Sequence, residues 1–287
     1  MNSRKTVTSA TNIGGKVFEW GSRTYVMGIL NVTPDSFSGD GLGADIGSTI
    51  SRAVEFEQSG ADIIDVGGES TRPPSLYGAS QPVSEDEELS RVIPVIEHLI
   101  NEIDIPISID SYKAKVADEA ITAGASMAND VCALRGDPEM AKTIAAAGVP
   151  VVLMHNQRQP CYGDVVRDVV GGLKERVVEA ISAGIPPSNV IVDPGIGFGK
   201  TVAHNLELLR RLNEFHSIPH PLLIGTSRKS LVGRILDLPV NDRIEGTAAT
   251  VSLSIVGGAD IVRVHDVKQM SRVARMTDAV VRGKEVT

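Results

Sequence analysis

Arg263 and His265 stand two residues apart in an otherwise apolar run, Asp260-Ile-Val-Arg-Val-His265. On a strand, alternate residues face the same way. If that face is the interior, an arginine and a histidine there need partners, because an unpaired buried charge is costly. With Ser70 and Thr71 the pair makes a cationic, hydrogen-bond-donating corner suited to phosphate oxygens. Asn31 adds a neutral oxygen of the kind that suits Mg²⁺ held mainly by substrate phosphates. No cluster of His, Cys and carboxylates has zinc spacing. Asp110, Asn129 and Asp193 supply acceptors and one amide, a set that suits a flat heterocycle with N–H and amide edges, such as a pterin or a purine. Lys229, in Ser227-Arg-Lys-Ser230, can donate to a ring carbonyl or serve as a Schiff-base nucleophile. Asp193-Pro-Gly-Ile-Gly-Phe-Gly199 is too rich in glycine for packing alone. It implies close backbone approach to a ligand, with Phe198 presented as an apolar wall. Met154, taken alone, reads as core.

Each of these residues ends a short apolar stretch, and the stretches recur at regular intervals. Val26-Met-Gly-Ile-Leu-Asn-Val32, Asp62-Ile-Ile-Asp-Val66, Pro106-Ile-Ser-Ile-Asp110, Ser126-Met-Ala-Asn-Asp-Val131, Pro150-Val-Val-Leu-Met-His155, Val190-Ile-Val-Asp193, Leu222-Leu-Ile224 and Asp260-to-His265 read as eight strands. Helical spacing follows each. Ile46, Ile50 and Val54 lie on one face, and Gly60 ends that helix. Ser84-Glu-Asp-Glu87 is a helix-start signature, with a capping serine and acids in the first turn. Helices are also expected from Pro138 to Ala147, from His204 to Phe215 and from Arg243 to Gly257. Eight strand-then-helix units predict an α/β fold, a (β/α)₈ TIM barrel, whose site is the ring of C-terminal strand ends. An open doubly wound sheet is the alternative, but no G-x-G-x-x-G follows the first strand. Ahead of the barrel, Lys16-Val-Phe-Glu-Trp20, Gly21-Ser22 and Arg23-Thr-Tyr25 predict an N-terminal β-hairpin. Residues 1–15 read as a flexible tail and 16–287 as one barrel domain.

The 287 residues suit a single barrel of roughly 250 residues. Two cysteines cannot form a disulfide framework, so a reduced cytoplasmic setting is expected. The net charge of −8 argues against a broad nucleic-acid surface. No stretch approaches the ~20 apolar residues of a membrane span.

Taken together, Gly28-Ile-Leu-Asn-Val-Thr-Pro-Asp-Ser-Phe37, Gly67-Gly-Glu-Ser-Thr-Arg-Pro73, Ile109-Asp110, Asn129-Asp130, Leu153-Met-His155, Asp193-to-Lys200, Ser227-to-Ser230 and Arg263-Val-His265 resemble the dihydropteroate synthase family, in order, from about Val26 to the end. The resemblance implies a barrel, generally dimeric, that joins p-aminobenzoate to 6-hydroxymethyl-7,8-dihydropterin pyrophosphate in folate synthesis and releases pyrophosphate, with Mg²⁺. Carried over by motif, Asp110, Asn129, Met154, Asp193 and Lys229 hold the pterin. Asn31, Thr71, Arg263 and His265 hold the pyrophosphate, and Asn31 the metal. Thr71, Arg72, Pro73, Phe198, Lys229 and Ser230 surround p-aminobenzoate. Asp110, Lys229, Arg263, His265 and Asp35 are the catalytic set, Asp110 and Asp35 stabilising a cationic pterin methylene as pyrophosphate departs.

The chain departs from the family pattern at one place. After Ser-Thr-Arg-Pro73 it carries Pro74-Ser-Leu-Tyr-Gly-Ala-Ser-Gln-Pro82, with proline at the usual glycine and a longer loop. A tolerated surface insertion accounts for this, since long loops cost little. The sharper expectation is that Leu76 or Tyr77 crowds the p-aminobenzoate rim and makes the protein insensitive to sulfonamides. The rival assignment, a methyltetrahydrofolate-binding methyltransferase barrel, shares the pterin acids but has no use for a pyrophosphate corner.

Overall fold

The computed structural model describes residues 9–32, 42–69 and 83–283, with backbone alone for 42–45. Strands β3 (Tyr25–Asn31), β4 (Ile63–Gly67), β5 (Ile107–Asp110), β6 (Met127–Asp130), β7 (Val151–Met154), β8 (Val190–Asp193), β9 (Leu223–Ile224) and β10 (Ile261–Val264) are all parallel. They lie in the order β8-β7-β6-β5-β4-β3-β10-β9. One isolated parallel bridge, Val192 to Leu222, joins β8 to the start of β9 and closes the ring. The expected eight-stranded barrel is therefore observed. Its strands are near-continuous apolar runs because both faces are buried, as parallel sheets require.

The two faces belong to two cores. Val26, Ile64, Val66, Ile109, Leu153, Val192 and Val262 point outward and pack under the helices. These are α1 (Leu42–Gln58), α2 (Glu85–Leu99), α3 (Ala114–Thr122), α4 (Met140–Ala147), α5 (Val165–Ser182), α6 (Val202–Arg210), α7 (Ser230–Leu236), α8 (Ile244–Val256) and α9 (Val267–Arg282). Ser84 caps α2 as expected, its side chain accepting from the Glu87 amide at 3.2 Å. The helix expected over 204–215 divides into α6 and a 3₁₀ segment, Leu212–Ser217. The short helix α7 follows Lys229 directly, where no helix was expected.

Met27, Ile63, Met127, Val152, Ile191, Leu223 and Ile261 point inward and form the second core with Ile13, Phe18, Trp20 and Tyr25. That core is completed by the N-terminal hairpin, whose position corrects the sequence-based expectation. The hairpin pairs β1 (Ala10–Ile13) with β2 (Lys16–Glu19), in register Ala10 to Glu19 and Ile13 to Lys16. Its turn is Gly14-Gly15, both at positive φ, which suits a two-residue hairpin loop. Gly21-Ser22 only leads the chain onward into β3, and the tail boundary at residue 15 falls too far along the chain. The hairpin plugs the N-terminal mouth. The Phe18 and Tyr25 rings lie 4.7 Å apart, and Trp20 meets Tyr25 edge-on at 5.6 Å. Trp20 Nε1 donates to Thr11 Oγ1 at 2.9 Å, and Thr11 donates in turn to the Ser188 carbonyl at 2.7 Å.

Candidate active site

Two residues beyond that apolar layer, the same inward positions turn polar. Ile63 gives way to Asp65, Met127 to Asn129, Ile191 to Asp193 and Ile261 to Arg263. Asp110 ends β5 on the same side and sits opposite Asn129 in the register. Arg263 lies between two carboxylates. Its Nε donates to Asp65 Oδ2 and its Nη2 to Asp110 Oδ2, each at 2.6 Å. Asn129 Nδ2 donates to the same Asp65 oxygen at 3.0 Å. The partner that the sequence demanded for a buried arginine is thus Asp65, which is fully buried. Gly67 lies beside this group, where a Cβ would be in ordinary van der Waals contact with the Asp110 Cβ at 3.4 Å.

One guanidinium serving two buried carboxylates leaves an excess negative charge. Burial is the main cause that pushes the Asp110 carboxyl up to about 7; Asp65 and Glu88 add to the effect, and Arg263 and Lys229 oppose it. Asp193 is also raised by burial, against the Gly195 amide and the Lys229, Lys200 and Arg263 charges. The Arg263 guanidinium is held above its ordinary value by Asp65 and Asp110 in spite of its burial. Asp110 Oδ1 and Asp65 Oδ1 have no hydrogen-bond partner among the described residues. Buried acceptors in that state suit a ligand that brings N–H donors.

The loop after β8 and the loop after β9 meet on one flank. Lys229 Nζ stands over the Phe198 ring, 4.1 Å from its centroid. Gly197, at φ +84°, admits the lysine stem, which a Cβ would approach to 3.1 Å. Gly195 donates to Asp193 Oδ1 at 2.7 Å, so the glycine-rich loop also orients that carboxylate. Met154 is buried and lies opposite Asp193 in the register. Ser230 begins α7 beside Lys229. Arg228, at φ +56°, is anchored by Asp266, and Arg243 Nη1 donates to the Arg228 carbonyl at 2.9 Å. Those bonds fix the Ser227-to-Ser230 tip. His265 extends beyond Arg263 and is held by Ser227 Oγ, which accepts from its amide at 3.1 Å and lies 3.0 Å from its Nδ1. Asn31 ends β3 on the exposed rim, opposite Gly67.

Asp110, Asn129, Met154, Asp193, Phe198, Lys229, Arg263, His265 and Asn31 belong to strand ends or loops at the C-terminal mouth, and Ser230 to the first turn of α7 beside them. Asp35, Ser70, Thr71, Arg72, Pro73 and the 74–82 loop, with Leu76 and Tyr77, lie outside the described residues. Sequence reasoning missed Asp65. A carboxylate between Ile63 and Gly67 on the inward alternation was its signal. It also missed Lys113, whose Nζ donates to Glu69 at 2.7 Å, to Glu88 at 2.5 Å and to the Val83 carbonyl at 2.7 Å. Among the described residues, no group of three or more His, Cys, Asp or Glu side chains is placed to hold a metal ion, and no helix is long and apolar enough to cross a membrane.

The chain is similar to known proteins over most of its length. The family model described as pterin binding enzyme matches residues 27–265. A dihydropteroate synthase of Bacillus subtilis is 52% identical over 258 residues, covering 90% of this chain and 89% of that protein. The crystal structure of a dihydropteroate synthase from Clostridium difficile, in the presence of pteroic acid, superposes with a TM-score of 0.88 at 49% identity, over 92% of this chain and 99% of that one. The Xanthomonas albilineans dihydropteroate synthase with 4-aminobenzoic acid gives a TM-score of 0.89 at 39% identity, over 96% and 98% of the two chains.

Proposed function

This chain belongs to the dihydropteroate synthase family of pterin-binding enzymes, and from that premise we propose that it condenses 6-hydroxymethyl-7,8-dihydropterin pyrophosphate with p-aminobenzoate to give 7,8-dihydropteroate and pyrophosphate. The observation that carries this is the set Asp65, Asp110, Asn129 and Arg263, interlocked at the floor of the C-terminal mouth with acceptor oxygens left over. Asp110, Asn129 and Asp193 present acceptors and an amide to the pterin edge, Lys229 donates to its carbonyl, and Met154 closes the pocket. Arg263, His265, Asn31 and Thr71 receive the pyrophosphate. Phe198, Lys229 and Ser230, with Thr71, Arg72 and Pro73, surround the aromatic amine.

In the reaction, the bond between the pterin methylene and the pyrophosphate oxygen breaks, and the leaving group keeps the electron pair. Arg263 and His265 absorb that charge. Asp110 and Asp35 stabilise the cationic methylene. The amine nitrogen of p-aminobenzoate, held against Phe198, forms the new C–N bond with its lone pair, and its proton passes to solvent. Positioning is the main contribution, because a weak aromatic amine meets a carbon already oriented. The donor set fits Mg²⁺ in a particular way. Asn31 would offer a neutral oxygen on the rim to an ion brought in by the pyrophosphate. When bound, the ion neutralises leaving-group charge.

The acting unit is a homodimer. Leu253 and Val256 on α8 and Met276 and Val280 on α9 are each half or more exposed. Ser252 donates to Thr277 Oγ1 at 3.1 Å and ties the two helices, and the apolar side chains they expose are the surface for a second copy. The reaction takes place in the cytoplasm, and the lengthened 74–82 loop rejects sulfonamides while admitting the smaller substrate. Inhibition by a sulfonamide at concentrations typical of a sensitive enzyme sinks that last point. The central test is pyrophosphate release from the pterin pyrophosphate with Mg²⁺, with and without p-aminobenzoate. Release accompanied by dihydropteroate is the expected result; tight pterin binding without release overturns the assignment.

A further inference from the structure

Lys200 ends the glycine-rich loop and takes no part in the chemistry described above. Its ammonium is folded back under the loop. Nζ donates to the Phe198 carbonyl at 2.9 Å, to the Gly195 carbonyl at 3.0 Å and to the His155 carbonyl at 3.3 Å, with His155 Nδ1 also at 3.3 Å. No carboxylate among the described residues forms an ion pair with it. Burial pushes this amine down to about 7, with Asp193 opposing and Lys229 adding to the shift. An apolar residue would avoid that cost, so the carbonyls need explaining.

They follow from the shape of the loop. Gly195, Gly197 and Gly199 all lie at positive φ, at +68°, +84° and +56°. The loop is pressed onto the end of β7 so closely that a Cβ at Gly195 would stand 2.1 Å from the His155 carbonyl oxygen, and one at Gly199 1.9 Å from that of Gln157. The Phe198 and His155 carbonyls in such a loop require donors, and the Gly195 carbonyl, which already accepts from the Phe198 amide at 3.1 Å, has a second lone pair to fill. A lysine offers three donors. The consequences run outward from Nζ. Gly195, held by its carbonyl, donates its amide to Asp193. Phe198, held by its carbonyl, presents its ring to Lys229.

We propose that Lys200 is a positioning residue for the second substrate: its amine ties the end of β7 to the loop after β8 and thereby sets the Phe198 wall against Lys229. This rests on the reaction proposed above, in which Phe198 borders p-aminobenzoate. Lys200 itself touches no substrate.

Lys200→Met and Lys200→Gln, the latter keeping N–H donors on a shorter arm, test this by steady-state kinetics and by hydrogen exchange of the amides at 195–199. In Lys200→Met, KM for p-aminobenzoate is expected to rise roughly tenfold, the effect of losing one or two hydrogen bonds, while KM for the pterin pyrophosphate changes by less than about threefold. The protected amides of Gly195, Gly197 and Phe198 exchange faster. Propylammonium added to Lys200→Ala, which supplies the missing atoms, lowers KM for p-aminobenzoate and leaves wild type unaffected. Equal increases in both KM values, or unaltered loop exchange in both Lys200→Met and Lys200→Gln, overturn the proposal. If wild type forms no dihydropteroate, the assigned reaction is what has failed, and the exchange data alone then decide on the clamp. A Lys200→Met chain that does not fold leaves Lys200→Gln and the amine rescue to decide.

Discussion

At the N-terminal mouth of the barrel, Met27, Ile63, Met127, Ile191 and Ile261 meet the aromatic plug of the hairpin. Two residues further along, four of those five strands carry Asp65, Asn129, Asp193 and Arg263. The step is about 6.6 Å, two residues of extended chain. Over that distance the interior passes from a sealed apolar layer to a charged cluster with unspent acceptors. One mouth is closed by apolar packing; the other keeps buried charge with acceptors left over, which in the proposed reading a ligand completes. Folding and chemistry are separated along the barrel axis, and the separation can be tested from either side.

The largest effect is expected from Arg263→Met. It leaves Asp65 and Asp110 buried together without their shared cation, which costs ~3–5 kcal/mol of stability, and removes a donor to the leaving group, which costs ~10³-fold in kcat/KM. Urea unfolding and product formation measure the two losses; a variant that keeps activity breaks the division between the mouths. Phe18→Ala at the other mouth is expected to cost ~3–4 kcal/mol of stability through the cavity it leaves, with kcat and both KM values within about twofold below its melting temperature. A large kinetic effect there would show that the plug reaches the site.

A titration sharpens the comparison. Asp110 gains acceptor capacity as it ionises near pH 7, so pterin affinity should rise with pH through about 7. The folded protein holds this proton over the range where the unfolded chain has lost it, so the same group lowers stability as pH climbs from about 4 to about 7. Asp65→Asn removes a like charge and should move the affinity limb down by roughly one pH unit, measured by calorimetric titration. An unmoved limb would detach Asp110 from Asp65. The smallest effect is assigned to Trp20→Phe, which loses only the hydrogen bond to Thr11 and some ring area. About 1 kcal/mol in thermal unfolding, with unchanged kinetics, is the expected outcome.

Most of the barrel was legible because eight apolar runs, each followed by helical spacing and a glycine or capping signal, leave few other ways to bury both faces of a parallel sheet. The site residues at strand ends were legible for a related reason: Arg263 had no place in a core without a ligand or a partner. Its partner escaped notice because Asp62 and Asp65 both sit in one strand-like run, and the sequence does not say which faces inward. The structure divides them, with Asp62 on the rim receiving Arg23 and Asp65 sealed inside with Arg263. The hairpin was displaced because Gly14-Gly15 and Gly21-Ser22 are equally good turn signals. Only the contact of Ile13, Phe18 and Trp20 with the barrel floor decides between them. Lys200 was not legible as a positioning residue, since its partners are carbonyls, which no side-chain pattern reveals.

The ring is joined unevenly. Between β8 and β9 it is held by the single bridge from Val192 to Leu222, whereas β3 and β4 share a five-residue register. Phe198 rides on one side of that joint and Lys229 on the other, so the wall proposed for the aromatic amine straddles the most thinly paired seam of the ring. Any change in the spacing of β8 and β9 would be read first in the gap between ring and lysine, while Asp65 and Asp110 sit on the continuously paired β3–β5 side.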